Sequence, residues 1–125
     1  MKNFTGKRAA YARAVVDALE NALAVDDTSA LAIDQLADWT EKHVPDCYRG
    51  TTAIGNGGGS AIRRAVNDAI AKLGVPVCAS NSGGYYIAEF EYQVAAECAG
   101  LVKRAHAILG RAVALRAAFE KSQGQ

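Results

Sequence analysis

Gly74 and Pro76 stand two residues apart and divide two kinds of residue pattern. Before them, Ile62, Val66, Ile70 and Leu73 recur at intervals of four, four and three, one face of a helix. Gly74 then suits a helix C-terminus, and Pro76 forbids continuation. After them, residues 75–79 are short, apolar and β-branched, which predicts a strand. Residues 81–84, Asn-Ser-Gly-Gly, are turn chemistry, and residues 85–88 read as the returning strand. Tyr85 and Tyr86 alternate, so one is expected inside and the other outside. Ser60 is the expected N-cap of the helix over 60–73.

A helix followed at once by a hairpin is the second half of a winged helix. The run Leu73-Gly74-Val75-Pro76-Val77-Cys78-Ala79-Ser80, a short polar tip, then Gly84-Tyr85-Tyr86-Ile87-Ala88 resembles the small winged helix-turn-helix DNA-binding proteins of bacteriophages and prophages. The resemblance covers residues 58–88 well and 28–46 loosely. It implies a winged helix-turn-helix core; with the long N- and C-terminal helices that the residue pattern predicts at either end, the expected fold is mainly α with a small β-hairpin. It also implies non-enzymatic binding to double-stranded DNA, and it suggests a role in transcription regulation or as another DNA-binding accessory factor of a mobile element. With three cysteines and no CxxC pair, the cytoplasm of a bacterial host cell is the expected compartment.

The remaining segments fit one domain of 125 residues. Over 6–24, Ala12, Val15, Leu19 and Ala22, flanked by Val16 and Leu23, form an apolar stripe, with Arg13, Asp17 and Glu20 opposite. The run Asp26-Asp27-Thr28-Ser29 breaks that helix and caps a second over 29–43, carrying Leu31, Ile33, Leu36 and Trp39, with Val44 more loosely placed and Pro45 as its stop. The core is thus expected over 28–88, with a glycine-rich loop at 55–59. The connection over 45–59 is longer than the three or four residues a helix-turn-helix turn needs. Over 89–122, Val94, Cys98, Leu101, Ala105, Ile108, Ala112, Leu115 and Phe119 alternate spacings of four and three, a seam of nearly four heptads. Val102, Leu109 and Val113 widen it. The seam through Leu115 is the expected homodimer interface, although the helix at 6–24 is an alternative cover.

Net charge is only +1, so its distribution carries the argument. Residues 1–46 hold five basic and eight acidic side chains, whereas 47–88 hold Arg49, Arg63, Arg64 and Lys72 against Asp68 alone. The positive excess falls on the half that would face phosphates. Arg63, Arg64 and Asn67 are the residue types that read guanine and adenine edges, and Lys72 suits a phosphate. Asp68 would accept from cytosine or repel phosphate. Arg49, Thr51, Ser60 and the glycine run suit the DNA backbone, because free N–H groups at a helix start attract anions. Ser80, Asn81 and Ser82 form the expected wing tip, small and uncharged. An ordinary solvated helix face and a plain hairpin turn are the bland alternatives for these two groups.

Other classes find less support. The Gly55–Ser60 run lacks the Gly-Lys-Ser/Thr ending of a P-loop, so a phosphate-handling enzyme is not expected. No apolar run approaches eighteen residues, and the basic N-terminus is followed by Arg13 and Asp17, unlike a signal peptide. Three cysteines without a CxxC pair suggest neither a disulfide framework nor a zinc site. Cys78, in a strand, and Cys98, in the seam, are expected to be buried thiols, and Cys47 is a loop cysteine with no base placed beside it. His43 and His106 have no carboxylate or cysteine at ligand spacing. No cofactor, metal or catalytic residue is therefore expected. The competing function is that of a small helical phage protein that binds and modulates a host protein, to which the acidic helix over 28–43 would contribute.

Overall fold

A computed structural model describes residues 4–44 and 58–124, with the side chains of 58–60 excepted. The elements in chain order are α1 (Lys7–Asn21), α2 (Ile33–His43), α3 (Gly58–Leu73), β1 (Val77–Ala79), β2 (Tyr85–Ile87) and α4 (Glu91–Gln123). The chain is mainly helical with one small two-stranded antiparallel sheet. It divides into two compact units, one ending at Phe90 and the other beginning at Glu91.

In the first unit, α1, α2 and α3 pack pairwise against one another, β1 lies on α3 and β2 on α1. Because α1 serves two helices and a strand, its apolar arc is wide. Ala9, Tyr11, Ala12, Ala14, Val15, Val16, Ala18 and Leu19 are all buried. Ala22 and Leu23, expected in the stripe, lie past the helix end, and Leu23 is 74% exposed. The reason is a reversal of the chain there: Ala24 N–H donates to the Leu19 carbonyl (2.9 Å) and Leu23 takes a left-handed φ of 54°. Ala24, not Leu23, enters the core.

Helix α2 starts at Ile33, later than the expected residue 29. Residues 26–29 close a turn of their own. The Asp26 carboxylate accepts the backbone N–H of Thr28 and of Ser29 (both 3.0 Å), and Ser29 Oγ accepts the N–H of Val25 and Asp26. Leu31, expected on the helix, instead exchanges two backbone bonds of 2.9 Å with Tyr85 as an antiparallel bridge. The first turn of α2 is then tied by Ala32 N–H to Gln35 Oε1 (2.8 Å), with Asp34 favourably placed against the helix dipole.

Helix α3 begins at Gly58, so Ser60 sits inside its first turn and not at the N-cap, and Gly58 and Gly59 are helical and not loop. Its buried arc is Ala61, Ile62, Ala65, Val66, Asp68 and Ala69. Ile70, assigned to the core by its spacing, is 45% exposed, because Ala69 at three residues from Val66 takes the inward position. Gly74 ends the helix with φ 70°, and Val77 N–H bonds back to the Val75 carbonyl, so the strand begins at Val77 and not at 75.

The hairpin pairs Val77 with Ile87, Cys78 with Tyr86 and Ala79 with Tyr85. Cys78 and Tyr86 share the buried side, as the alternation requires, while Tyr85 is half-buried. Strand β2 is held on both edges: β1 on one, Leu31 and the Ala24 carbonyl on the other. Gly84 is where Leu31 crosses. A Cβ there would lie 2.8 Å from the Leu31 carbonyl carbon and closer still to its oxygen.

The second unit is α4 alone, one helix of 33 residues, roughly 50 Å long at 1.5 Å per residue. Its large apolar side chains, among them Leu101, Ile108, Leu115 and Phe119, are exposed.

Candidate nucleic-acid interface

The outward side of α3 is built by exclusion. Once Ile62, Ala65, Val66 and Ala69 turn inward, a 3.6-residue repeat leaves Arg63, Asn67 and Ile70 in one row, with Arg64 and Ala71 beside them. All five are exposed. Lys72 is exposed too, but nine residues past Arg63 it lies roughly 180° around the helix, on another flank. The structure therefore groups Arg63, Asn67 and Arg64 and sets Lys72 apart from Arg63 and Asn67, two turns beyond Arg64 and roughly 80° around from it.

Asp68, the only acid of α3, does not join that surface. It is 5% exposed and accepts a two-pronged bond from Arg8 on α1, Nε to Oδ2 at 3.0 Å and Nη2 to Oδ1 at 2.7 Å. The planar guanidinium matches the two carboxylate oxygens, which makes this a strong kind of pairing. Its position on the inward arc excludes the suggested contact with cytosine or phosphate. Arg8, sixty residues away in sequence, carries no signal of this partnership.

The hairpin tip is committed to the protein itself. Ser80 is buried, and its Oγ accepts the N–H of Ser82 (3.0 Å) and lies 2.7 Å from Ser82 Oγ. Asn81 is exposed, yet its backbone N–H and Nδ2 donate to the two Asp27 oxygens at 3.1 and 3.3 Å. The turn at 26–29 thus braces the tip and brings an acid to it. Asp26 within that turn is held below the ordinary carboxylate range by the hydroxyls of Thr28 and Ser29. Of the other DNA-contact candidates, Arg49 and Thr51 lie outside the described residues, as do Gly55, Asn56 and Gly57; nothing is described of the Ser60 side chain.

On α4, Leu101, Ala105, Ile108, Ala112 and Leu115 are exposed and Val94 is half-buried. Cys98, expected to be buried, is exposed, because the seam is uncovered at that turn, whereas Cys78 is buried as expected. Among the described residues no group of three or more His, Cys, Asp or Glu is placed to hold a metal ion, and no helix is long and apolar enough to cross a membrane. His43 stacks on Trp39 with ring centroids 4.1 Å apart, and its Nδ1 lies 2.8 Å from the Trp39 carbonyl, so the ring closes the end of α2. No protein-family model matches the chain, and no curated protein or solved structure is significantly similar to it.

Proposed function

We propose that this protein is a non-enzymatic DNA-binding protein of the winged helix-turn-helix kind, acting as a homodimer in transcription regulation in a phage or prophage setting. The observation that carries the reading is the composition of the outward face of α3: Arg63, Arg64 and Asn67 are exposed together, and the one acid of the helix is turned away onto Arg8. Arginine pairs bidentately with guanine and asparagine with adenine, so this row suits the major groove. The order of elements supports it: α2 packs on α3, a hairpin follows α3, and Leu31 ties that hairpin to the segment ahead of α2. Since Ser80, Asn81 and Ser82 all make hydrogen bonds within the protein at the hairpin tip, the wing acts by position. The homodimer would form through α4 and present two α3 faces, doubling a small positive excess.

The test is a fluorescence-anisotropy titration of mixed-sequence duplex DNA at low and near-physiological salt, with the parent chain and an Arg63→Ala, Arg64→Ala variant. Binding should weaken steeply with salt, with a log–log slope of roughly −0.9 for each phosphate that the protein neutralises. The variant should lose binding while its circular dichroism stays the same. A folded parent that binds no DNA at low salt would move the reading to a host-protein partner, and a variant that binds like the parent would remove α3 as the reader.

A further inference from the structure

The face that α4 leaves uncovered has an internal asymmetry. Its core positions alternate between a small set (Cys98, Ala105 and Ala112) and a large set (Leu101, Ile108 and Leu115), with every member exposed. Two parallel copies in register would stack small on small and large on large. Alternate layers would then be thin, leaving voids that close packing penalises. Reversing one copy removes the mismatch in every layer. Cys98 then meets Leu115, Leu101 meets Ala112, and Ala105 meets Ile108, each layer holding one small and one large side chain. Val94 falls opposite Phe119 at the two ends. Alanine in each central layer lets the helix axes approach to about 8 Å.

The apolar border favours the same orientation, while the basic flank residues do not discriminate: Arg104 faces Arg111 of the second copy in an antiparallel pair, and Arg111 faces Arg116 in a parallel one. Val102 and Leu109 border the seam on one side and are 56% and 63% exposed, while Glu97 and Arg104 border it on the other. In a parallel pair, opposite borders face each other, which sets Val102 against Glu97 and Leu109 against Arg104. In an antiparallel pair like borders face each other, and Val102 lies beside Leu109 of the second copy. That extends the apolar contact. The exposed parts of Leu101, Val102, Ile108, Leu109, Leu115 and Phe119 amount to roughly 600–700 Å² per chain, so a pair would bury at most about 1,300 Å² from them, at the lower end of stable interfaces.

We infer that α4 pairs with α4 of a second copy in antiparallel orientation, with Ala105 of each packed on Ile108 of the other. This rests on the homodimer of the proposed reading and not on DNA binding. It defines which partner covers the face and in which register.

Two measurements on the full chain test it. Sedimentation equilibrium should give a dimer for the parent and a dissociation constant raised at least ~100-fold for Ile108→Glu, which sets two carboxylates at the centre of the seam. Cross-linking by diamide, which takes up the two hydrogens released as a disulfide forms, then reads the orientation in a Cys47→Ser background, Cys78 being buried. In the antiparallel register the two Cys98 sulfurs are roughly 25 Å apart along the axis, and Cys98 alone should give no covalent dimer. Adding Leu115→Cys should convert most of the protein to one. A covalent dimer from Cys98 alone, or none after Leu115→Cys in a protein that sediments as a dimer, overturns the antiparallel register but not the dimer. A parent that sediments as a monomer at tens of micromolar overturns both.

Discussion

The two units answer the same pattern differently. Among the described residues of the first unit, Val15, Leu19, Leu36 and Ile62 stand at helical spacing and are each 0% exposed. In α4, apolar side chains at equally regular spacing are open, with Leu115 72% and Ile108 65% exposed. Periodicity states which face of a helix is apolar. It does not state what lies on that face. In the first unit three helices and a hairpin cover one another.

The contrast can be broken most severely at the crossing that holds the first unit closed. Gly84→Val should cost about 3–4 kcal/mol in urea unfolding, because the added side chain overlaps the Leu31 backbone and dismantles the bridge to Tyr85. A cost under about 1 kcal/mol would mean that the bridge is dispensable. Leu36→Ala against Leu115→Ala tests the comparison directly. The first should lose about 2–5 kcal/mol by opening a cavity. The second, made at low protein concentration, should leave the unfolding of the first unit unchanged within about 0.5 kcal/mol, and equal losses would refute the division. Arg8→Ala should cost about 1–3 kcal/mol, since it leaves Asp68 buried without its fork, and Asp68→Asn in the same chain should recover part of that in a double-mutant cycle.

Smaller effects sit at the turns. Leu23→Gly should gain about 1 kcal/mol, because leucine at φ 54° pays a steric penalty that glycine avoids while an exposed side chain has little packing to lose. A destabilised variant would show that Leu23 is held by neighbours that outweigh that strain. Asp26 titrates lower in the folded chain than in the unfolded one. Its contribution is therefore complete above about pH 4, the unfolded value, and is lost as the pH falls through the lower folded value. Asp26→Asn should flatten the acid limb of the stability profile below about pH 4, and an unaltered limb would assign that limb to other carboxylates.

Legibility follows locality. The helix ending at Gly74, the hairpin with its alternating Tyr85 and Tyr86, and the unbroken helix over 91–123 all arise from interactions within a few residues, and each is readable as such. The candidate face of α3 is readable for the same reason, since helical geometry alone groups Arg63, Arg64 and Asn67. The start of α2 escapes a local reading because Leu31 finds a partner at Tyr85, 54 residues away; the turn that Asp26 and Ser29 close ahead of it is local. The role of Asp68 escapes it because its partner, Arg8, lies on a different helix.

Backbone propensity and periodicity act over one or two turns, and residue order therefore suffices for the existence of the helices and the hairpin and for most of the apolar face of each helix, though not for Leu23, Leu31 or Ile70. It took the packed chain to turn Asp68 inward to Arg8, to brace Asn81 with Asp27, and to require that Gly84 lack a side chain where Leu31 passes. Those outcomes depend on charge pairs and close approaches between segments distant in the chain, and nothing local to either segment encodes them.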